Sequence, residues 1–172
     1  DPALAGFADR TALINDFVAQ AYGCLTSSAR KDVLTLQNGT ANHAFPLAAI
    51  GAGTGLGMCT LVPVQEYSRR YLPVASEGGH APVPFVTETE AEYRKFLLGK
   101  IGHAQAIGDM VLSGQGLMHL HWFLTGRKLE PAEVAAEIGP ESETTAWFAR
   151  FYGRVARSLA LYVLPRAGMY IC

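Results

Sequence analysis

The hydrophobic pattern of the chain changes character near Thr87. Before that point, short apolar runs are separated by glycine, proline and polar clusters, as strands joined by turns are. After it, apolar residues recur three and four positions apart, the spacing of an amphipathic helix. In the first half, residues 11–16 read as a short strand with a polar end, and the Ala-rich run 17–25 as a helix. Residues 26–43 read as a surface connection with one short strand at 33–36. Two apolar runs, 45–50 and 58–64, read as strands joined by Gly51-Ala52-Gly53-Thr54-Gly55-Leu56-Gly57, and 70–75 as a third strand. In the second half, Thr87-Glu88-Thr89-Glu90 is a capping box with acids in the first turn, which predicts a helix over 88–98. Further helices are expected over 116–125, from Pro131 onward, and over 143–164. In the last, Trp147, Phe151, Val155, Leu159 and Val163 form one stripe, which packs internally or against a partner. A final strand over 167–172 makes the expected class α/β or α+β.

Composition narrows the class of function. The chain has 172 residues, 49% of them apolar, and a formal net charge of −1. That is enough chain for one ordinary core. The balance argues against a nucleic-acid binder, which needs a basic stripe, and against a disordered segment. No 18-residue apolar run or leader-like segment is present, so no membrane partner is expected. Three scattered cysteines (Cys24, Cys59 and Cys172) fit neither a disulfide framework nor a zinc site, and point to a reducing, cytoplasmic setting. With no initiator Met and a last strand without a following turn, the chain is expected to be a piece of a longer protein.

Three segments carry candidate chemistry. Glycine at Gly51, Gly53, Gly55 and Gly57 would allow φ > 0 and a row of exposed N–H groups suited to phosphate, with the Thr54 hydroxyl beside them. The loop lacks a lysine and leads into a strand, so it is neither a Walker loop nor a dinucleotide fingerprint. A ligand-free glycine hairpin is the competing reading, although two glycines would suffice for a turn. Asp16, following Asn15 at the end of the expected first strand, is placed to accept a proton from an attacking hydroxyl. Alternatively, the Asn15-Asp16 pair merely caps the next helix. Glu77-Gly78-Gly79-His80 sets a carboxylate and an imidazole around two glycines, groups able to pair with neighbouring sugar hydroxyls or to form a polar loop. His119 and His121, two apart on a helix, face different sides and are a poor metal pair; His103 reads as a helix-end or packing residue.

In order along nearly the whole chain, five stretches resemble the bacterial-type, ATP-dependent glucokinases of the hexokinase-like superfamily. They are Leu13-Ile14-Asn15-Asp16-Phe17, Ile50 to Gly57, Ser76-Glu77-Gly78-Gly79-His80, Ile101-Gly102-His103 and Val111-Leu112-Ser113-Gly114-Gln115-Gly116-Leu117. The resemblance implies an α/β fold: the larger lobe of an actin-like (ribonuclease H-like) sugar kinase, a mixed sheet with packed helices. Residues 1–25 would be a cleft-lining segment belonging to or bordering the small lobe, and 26–172 the large lobe. It implies transfer of the γ-phosphoryl of ATP, with Mg²⁺, to the 6-hydroxyl of glucose, giving glucose 6-phosphate at the first step of glycolysis. Asp16 would be the general base, and Asn15, Glu77 and His80 ligands of the other hydroxyls. Gly51, Gly53, Thr54, Gly55 and Gly57 would hold the ATP phosphates. The family places an acidic sugar ligand, usually Glu, shortly before its Leu-Ser-Gly segment, and counting back from Leu112 puts Asp109 there. Homodimers are common in the family. The Asp-Gly-Gly-Thr phosphate loop and the adenosine-contacting segment of the family have no counterpart in this sequence, so the isolated chain is expected to be inactive. The related family of repressors and kinases with a cysteine-rich zinc segment after its Gly-His motif is set aside, because nothing of the kind follows His80. A non-catalytic sugar-binding or regulatory relative is the alternative, disfavoured by the presence of Asp16. An unrelated α/β domain is the third reading.

Overall fold

A computed structural model describes residues 13–26, 33–64 and 71–172. Helix α1 (Asp16–Gly23) precedes the antiparallel hairpin β1 (Leu47–Ala52) and β2 (Leu56–Pro63), followed by β3 (Tyr71–Ser76). A 3-10 turn at Gly78–His80 leads to α2 (Glu88–Ile101), α3 (Gly108–Val111), α4 (Gly114–Thr125), α5 (Pro131–Glu137), α6 (Glu143–Val163) and β4 (Gly168–Ile171). The strands lie in the order β3-β2-β1-β4. β4 runs parallel to β1 and the other pairs are antiparallel, so the sheet is mixed, as expected. A parallel pair requires a crossover. Here the crossover is the helical half of the chain.

Local signals set most boundaries. The Thr87 hydroxyl accepts from the Glu90 N–H at 3.2 Å and the Glu90 carboxylate reaches back to the Thr87 N–H, completing the capping box. Gly102 ends α2 in the left-handed region at φ 67°. Ser142 caps α6 by accepting from the Thr145 N–H.

Successive strand residues point to opposite faces, and each face of this sheet has its own core. On one side Ala48, Ile50, Leu56 and Met58 pack under α2, α4 and α6, around a cluster of aromatic rings that includes Tyr93, Trp147 and Phe151. The stripe Trp147, Phe151, Val155 and Leu159 is buried within this core, with Val163 half-buried against it, so the stripe packs internally. On the other side Leu47, Ala49, Cys59 and Leu61 are covered by Val18 and Ala21 of α1 and by Ala167. Glu90 is fully buried between α2 and α6, where the Arg154 guanidinium grips it with two hydrogen bonds of 2.7 and 2.9 Å. Burial alone would raise its pKa. The Arg154 pair and the Val86 and Thr87 N–H groups outweigh that and pull it down to about 2.

Two expected strands are not formed. Residues 33–36 carry no strand, and Leu34 and Leu36 are largely exposed, so that run lacks a partner face among the described residues. Residues 13–15 are likewise irregular, with Leu13 92% exposed. The remainder of that expectation, residues 11–12, lies outside the described residues, as does Arg70 of the third strand.

Candidate functional site

The first correction concerns Asp16. It stands in the first turn of α1 rather than at the end of a strand. Asn15 is the N-cap, and its side-chain oxygen accepts from the Phe17 and Val18 N–H groups at 3.0 and 3.1 Å. Capping therefore occupies the Asn15 oxygen and leaves its amide NH₂ without a hydrogen bond among the described residues. A carboxylate in the first turn of a helix also sits in the favourable field of the helix dipole. Asp16 uses one oxygen to accept from the Phe17 N–H at 2.8 Å, and its side chain is exposed to the cleft.

The second correction concerns the glycines. None of Gly51, Gly53, Gly55 and Gly57 has positive φ; among the described glycines only Gly102, Gly126 and Gly168 do. Their smallness answers a packing need instead. Gly51 and Gly57 are cross-strand partners. A Cβ at Gly57 would fall inside the Phe17 ring, and one at Gly51 would meet the same ring edge-on. The two glycines thus form a slot into which α1 inserts Phe17. A Cβ at Gly55 would touch the Asp109 carboxylate, 3.2 Å from Oδ1. Only at Gly53 is the space open.

The hairpin tip is held from within and leaves part of itself free. Gly53 N–H donates to the Gly55 carbonyl at 2.8 Å, and the Gly53 carbonyl accepts from the Gly114 N–H at 3.0 Å. Leu56 N–H donates to Asp109 Oδ1 at 2.7 Å. Among the described residues, the N–H groups of Thr54 and Gly55 and the Thr54 hydroxyl have no hydrogen-bond partner. Those three donors face solvent at the tip.

Asp109 reaches the loop from α3, a single turn that starts where Gly108 N–H donates to the Ala81 carbonyl at 3.0 Å. Its second oxygen lies 3.4 Å from His80 Nε2, and His80 Nδ1 lies 3.7 Å from Glu77 Oε2. His80 is thus placed between two carboxylates, with its side chain still 63% exposed.

These pieces surround one open cavity of about 440 Å³. Asn15, Asp16, Glu77, Asp109 and the run 51–57 all line it, Asp16 arriving from one face of the sheet and Asp109 from the other. His80 stands outside the lining and contacts the site through Asp109 and Glu77. Three carboxylates and three free donors on a cavity of this size suit a polyhydroxylated ligand next to an anion.

Several residues were missed in the sequence. Gln20 lines the cavity. Its position four residues after Asp16 on a helix was the available signal. Ser76, the first residue of the Ser76–His80 stretch, also lines it, as does Cys172, which no local pattern marks. Ser113-Gly114 clasps the loop through Gly53, while Ser113 caps α4 by accepting from the Gly116 N–H at 3.1 Å.

The remaining histidines belong elsewhere. His103 is exposed beyond the end of α2. His121 is buried, with Nδ1 3.1 Å from the Thr144 hydroxyl, whereas His119 is half-buried, and burial chiefly holds its pKa below the usual value. Among the described residues no three His, Cys, Asp or Glu side chains are grouped to hold a metal ion, and no helix is long and apolar enough to cross a membrane.

A family model described as Glucokinase matches residues 5–172. Among curated proteins, a glucokinase of Trichormus variabilis is 35% identical over 190 residues, covering 92% of this chain and 54% of that protein. One of Neisseria meningitidis serogroup C is 31% identical over 175 residues, covering 95% and 52%. Among solved structures, a glucokinase from an Antarctic psychrotroph superimposes with a TM-score of 0.73 at 28% identity, over 92% of this chain and 51% of that one. The glucokinase of Balamuthia mandrillaris shares the fold at the same TM-score, 0.73, with 20% identity. The chain spans about half the length of the curated relatives it matches.

Proposed function

The chain belongs to the glucokinase family, and from that premise we propose that its cavity is the glucose side of an ATP-dependent hexose kinase site. The observation that carries this reading is the convergence of Asn15, Asp16, Glu77, Asp109 and the 51–57 hairpin on one cavity. Asp16 is the general base. Its free carboxylate oxygen accepts the proton of the sugar 6-hydroxyl as that oxygen attacks the γ-phosphorus. The Asn15 amide, Glu77 and Asp109 bind the other hydroxyls, and His80 holds the two carboxylates in register. The Thr54 and Gly55 N–H groups and the Thr54 hydroxyl receive the terminal phosphates of Mg·ATP, which enters as substrate. Phosphoryl transfer is chiefly positioning and charge stabilisation, so one aligned carboxylate and a set of donors are sufficient protein chemistry. In this reading residues 26–172 are the larger lobe, residues 1–25 line the cleft at its border with the smaller one, and the protein works in the cytoplasm.

Two measurements test the proposal. A glucose titration of the 172-residue chain, followed by NMR with galactose as control, should shift the signals of Glu77, His80 and Asp109 for glucose alone. An equal response to both sugars would remove glucose as the substrate. In the catalytically competent protein, Asp16→Asn should lower turnover by about 10²–10⁴-fold while glucose still binds. Unchanged turnover would remove Asp16 as the base.

A further inference from the structure

Two of the three cysteines, far apart in sequence, meet in space. Cys24 at the end of α1 and Cys172 just beyond β4 are 148 positions apart, yet their sulfurs lie 3.7 Å from each other. Both backbones are fixed. Cys24 N–H donates to the Gln20 carbonyl at 3.1 Å and Cys172 N–H to the Ile50 carbonyl at 2.9 Å. Cys59 is apart from them, fully buried in β2 with its thiol directed at the Thr60 carbonyl.

We propose that Cys24 and Cys172 are a reversible dithiol–disulfide pair, oxidised by small-molecule disulfides such as oxidised glutathione, which clamps α1 to the end of β4. Closing a disulfide requires the sulfurs to move from 3.7 Å to about 2.05 Å.

The two thiols have unequal access, which orders the steps. Cys172 is exposed and lines the cavity; Cys24 is buried, and desolvation, with Cys172 beside it, pushes its thiol up to about 12. Cys172, as thiolate, attacks one sulfur of oxidised glutathione and releases one glutathione thiolate. Cys24 then loses its proton to water and attacks Cys172 Sγ, breaking the mixed disulfide and releasing the second glutathione thiolate. The two protein thiols give up two electrons and two protons, and one small disulfide becomes two glutathione thiols. The step from Cys24 is the slow one, because so little of it is thiolate at neutral pH.

The clamp acts on the helix whose first turn carries Asn15 and Asp16. What it does to the site rests on the functional reading above; the cross-link itself does not. The closed loop spans nearly the whole chain, so the oxidised form should melt several degrees higher than the reduced form.

The test uses the 172-residue chain with oxidised glutathione, followed by peptide mass mapping without reductant. Expected are the loss of two of the three thiols, a peptide joining Cys24 to Cys172, and Cys59 still free. Dithiothreitol should restore all three thiols and lower the melting temperature again. Cys24→Ser should stop at a glutathione adduct on Cys172. Should that variant fail to fold, Cys172→Ser gives the complementary reading: Cys24 should stay unreacted. A glutathione adduct that persists on Cys172 of the unaltered chain beside a free Cys24, or a cross-link through Cys59, overturns the proposal.

Discussion

The two faces of the central sheet are covered to very different depths, and the candidate site draws one half from each. On the thick side, four strand residues lie under three helices and an aromatic cluster, and Glu90 and Arg154 are locked between α2 and α6. From that side come Asp109 and, through it, His80. On the thin side, one eight-residue helix covers the sheet with Val18, Ala21 and the Phe17 ring. That helix brings Asn15 and Asp16. Segments with few buried contacts open locally at lower free energy than the global unfolding of the molecule. The proposed ligand Asp109 therefore stands on the more firmly covered part of the fold, and the proposed base Asp16, with Asn15 beside it, on the more thinly covered one.

The contrast can be broken most forcefully from the thick side. Phe151→Ala should destabilise the whole chain by about 3–5 kcal/mol, read as a lower denaturation midpoint with α2, α4 and α6 all losing hydrogen-exchange protection. Loss confined to α6 would show that the helical layer is not one cooperative unit.

Glu90→Gln should cost about 1.5–3 kcal/mol, since it removes the charge-assisted hydrogen bonds of a buried carboxylate and leaves the half-buried Arg154 guanidinium without its ion pair. It also predicts a pH dependence. Glu90 has a lowered pKa in the fold, so its contribution is complete above the unfolded value of about 4.3 and fades as pH falls towards about 2. Urea midpoints of the unaltered chain should therefore drop through that window, and Glu90→Gln should remove part of the slope. Parallel curves for the two proteins would show that the pair does not carry the acid sensitivity.

On the thin side, Gly57→Ala should drive a methyl group into the Phe17 ring and destabilise by about 1–3 kcal/mol. Hydrogen exchange should accelerate in α1 and spare α2 and α6. Combining it with Phe17→Leu should recover part of the loss, because the smaller side chain vacates the slot. Simple additivity of the two changes would mean that the glycine pair serves something other than Phe17.

The smallest effect is expected from Asn15→Ala, about 1 kcal/mol for a lost N-cap. Circular dichroism of the folded state should hardly change, while exchange at the Phe17 and Val18 amides should rise. An effect spreading into α4 would show the two faces to be coupled.

Much of this architecture could be read along the chain because its causes are local. The Thr87–Glu90 capping box, the proline opening α5 and the four-residue stripe from Trp147 to Leu159 are short-range patterns, and each element stands within a few residues of its expected bounds. The hairpin around the glycine run followed from two apolar runs and the turn between them. Where the pattern misled, a missing partner or a competing local cap decided. Residues 33–36 had strand-like composition but no strand to pair with among the described residues. Asp16 lies in a helix turn because Asn15, with a side chain that competes for backbone N–H groups, found them in the helix just ahead.

The sequence by itself determined the glycine hairpin, most of the helices of the second half, the mixed class of the fold, the family and the residues proposed for chemistry, all set by short-range periodicity, caps and ordered motifs. Only the tertiary structure decided why the glycines are needed: Gly51, Gly55 and Gly57 make room for Phe17 and Asp109, groups 34 or more positions away, rather than for a positive φ. It alone brought Asp16 and Asp109 to one cavity from opposite faces of the sheet, and Cys24 within reach of Cys172. Such meetings depend on how helices dock across a twisted sheet. Spacing along a chain carries no record of that docking.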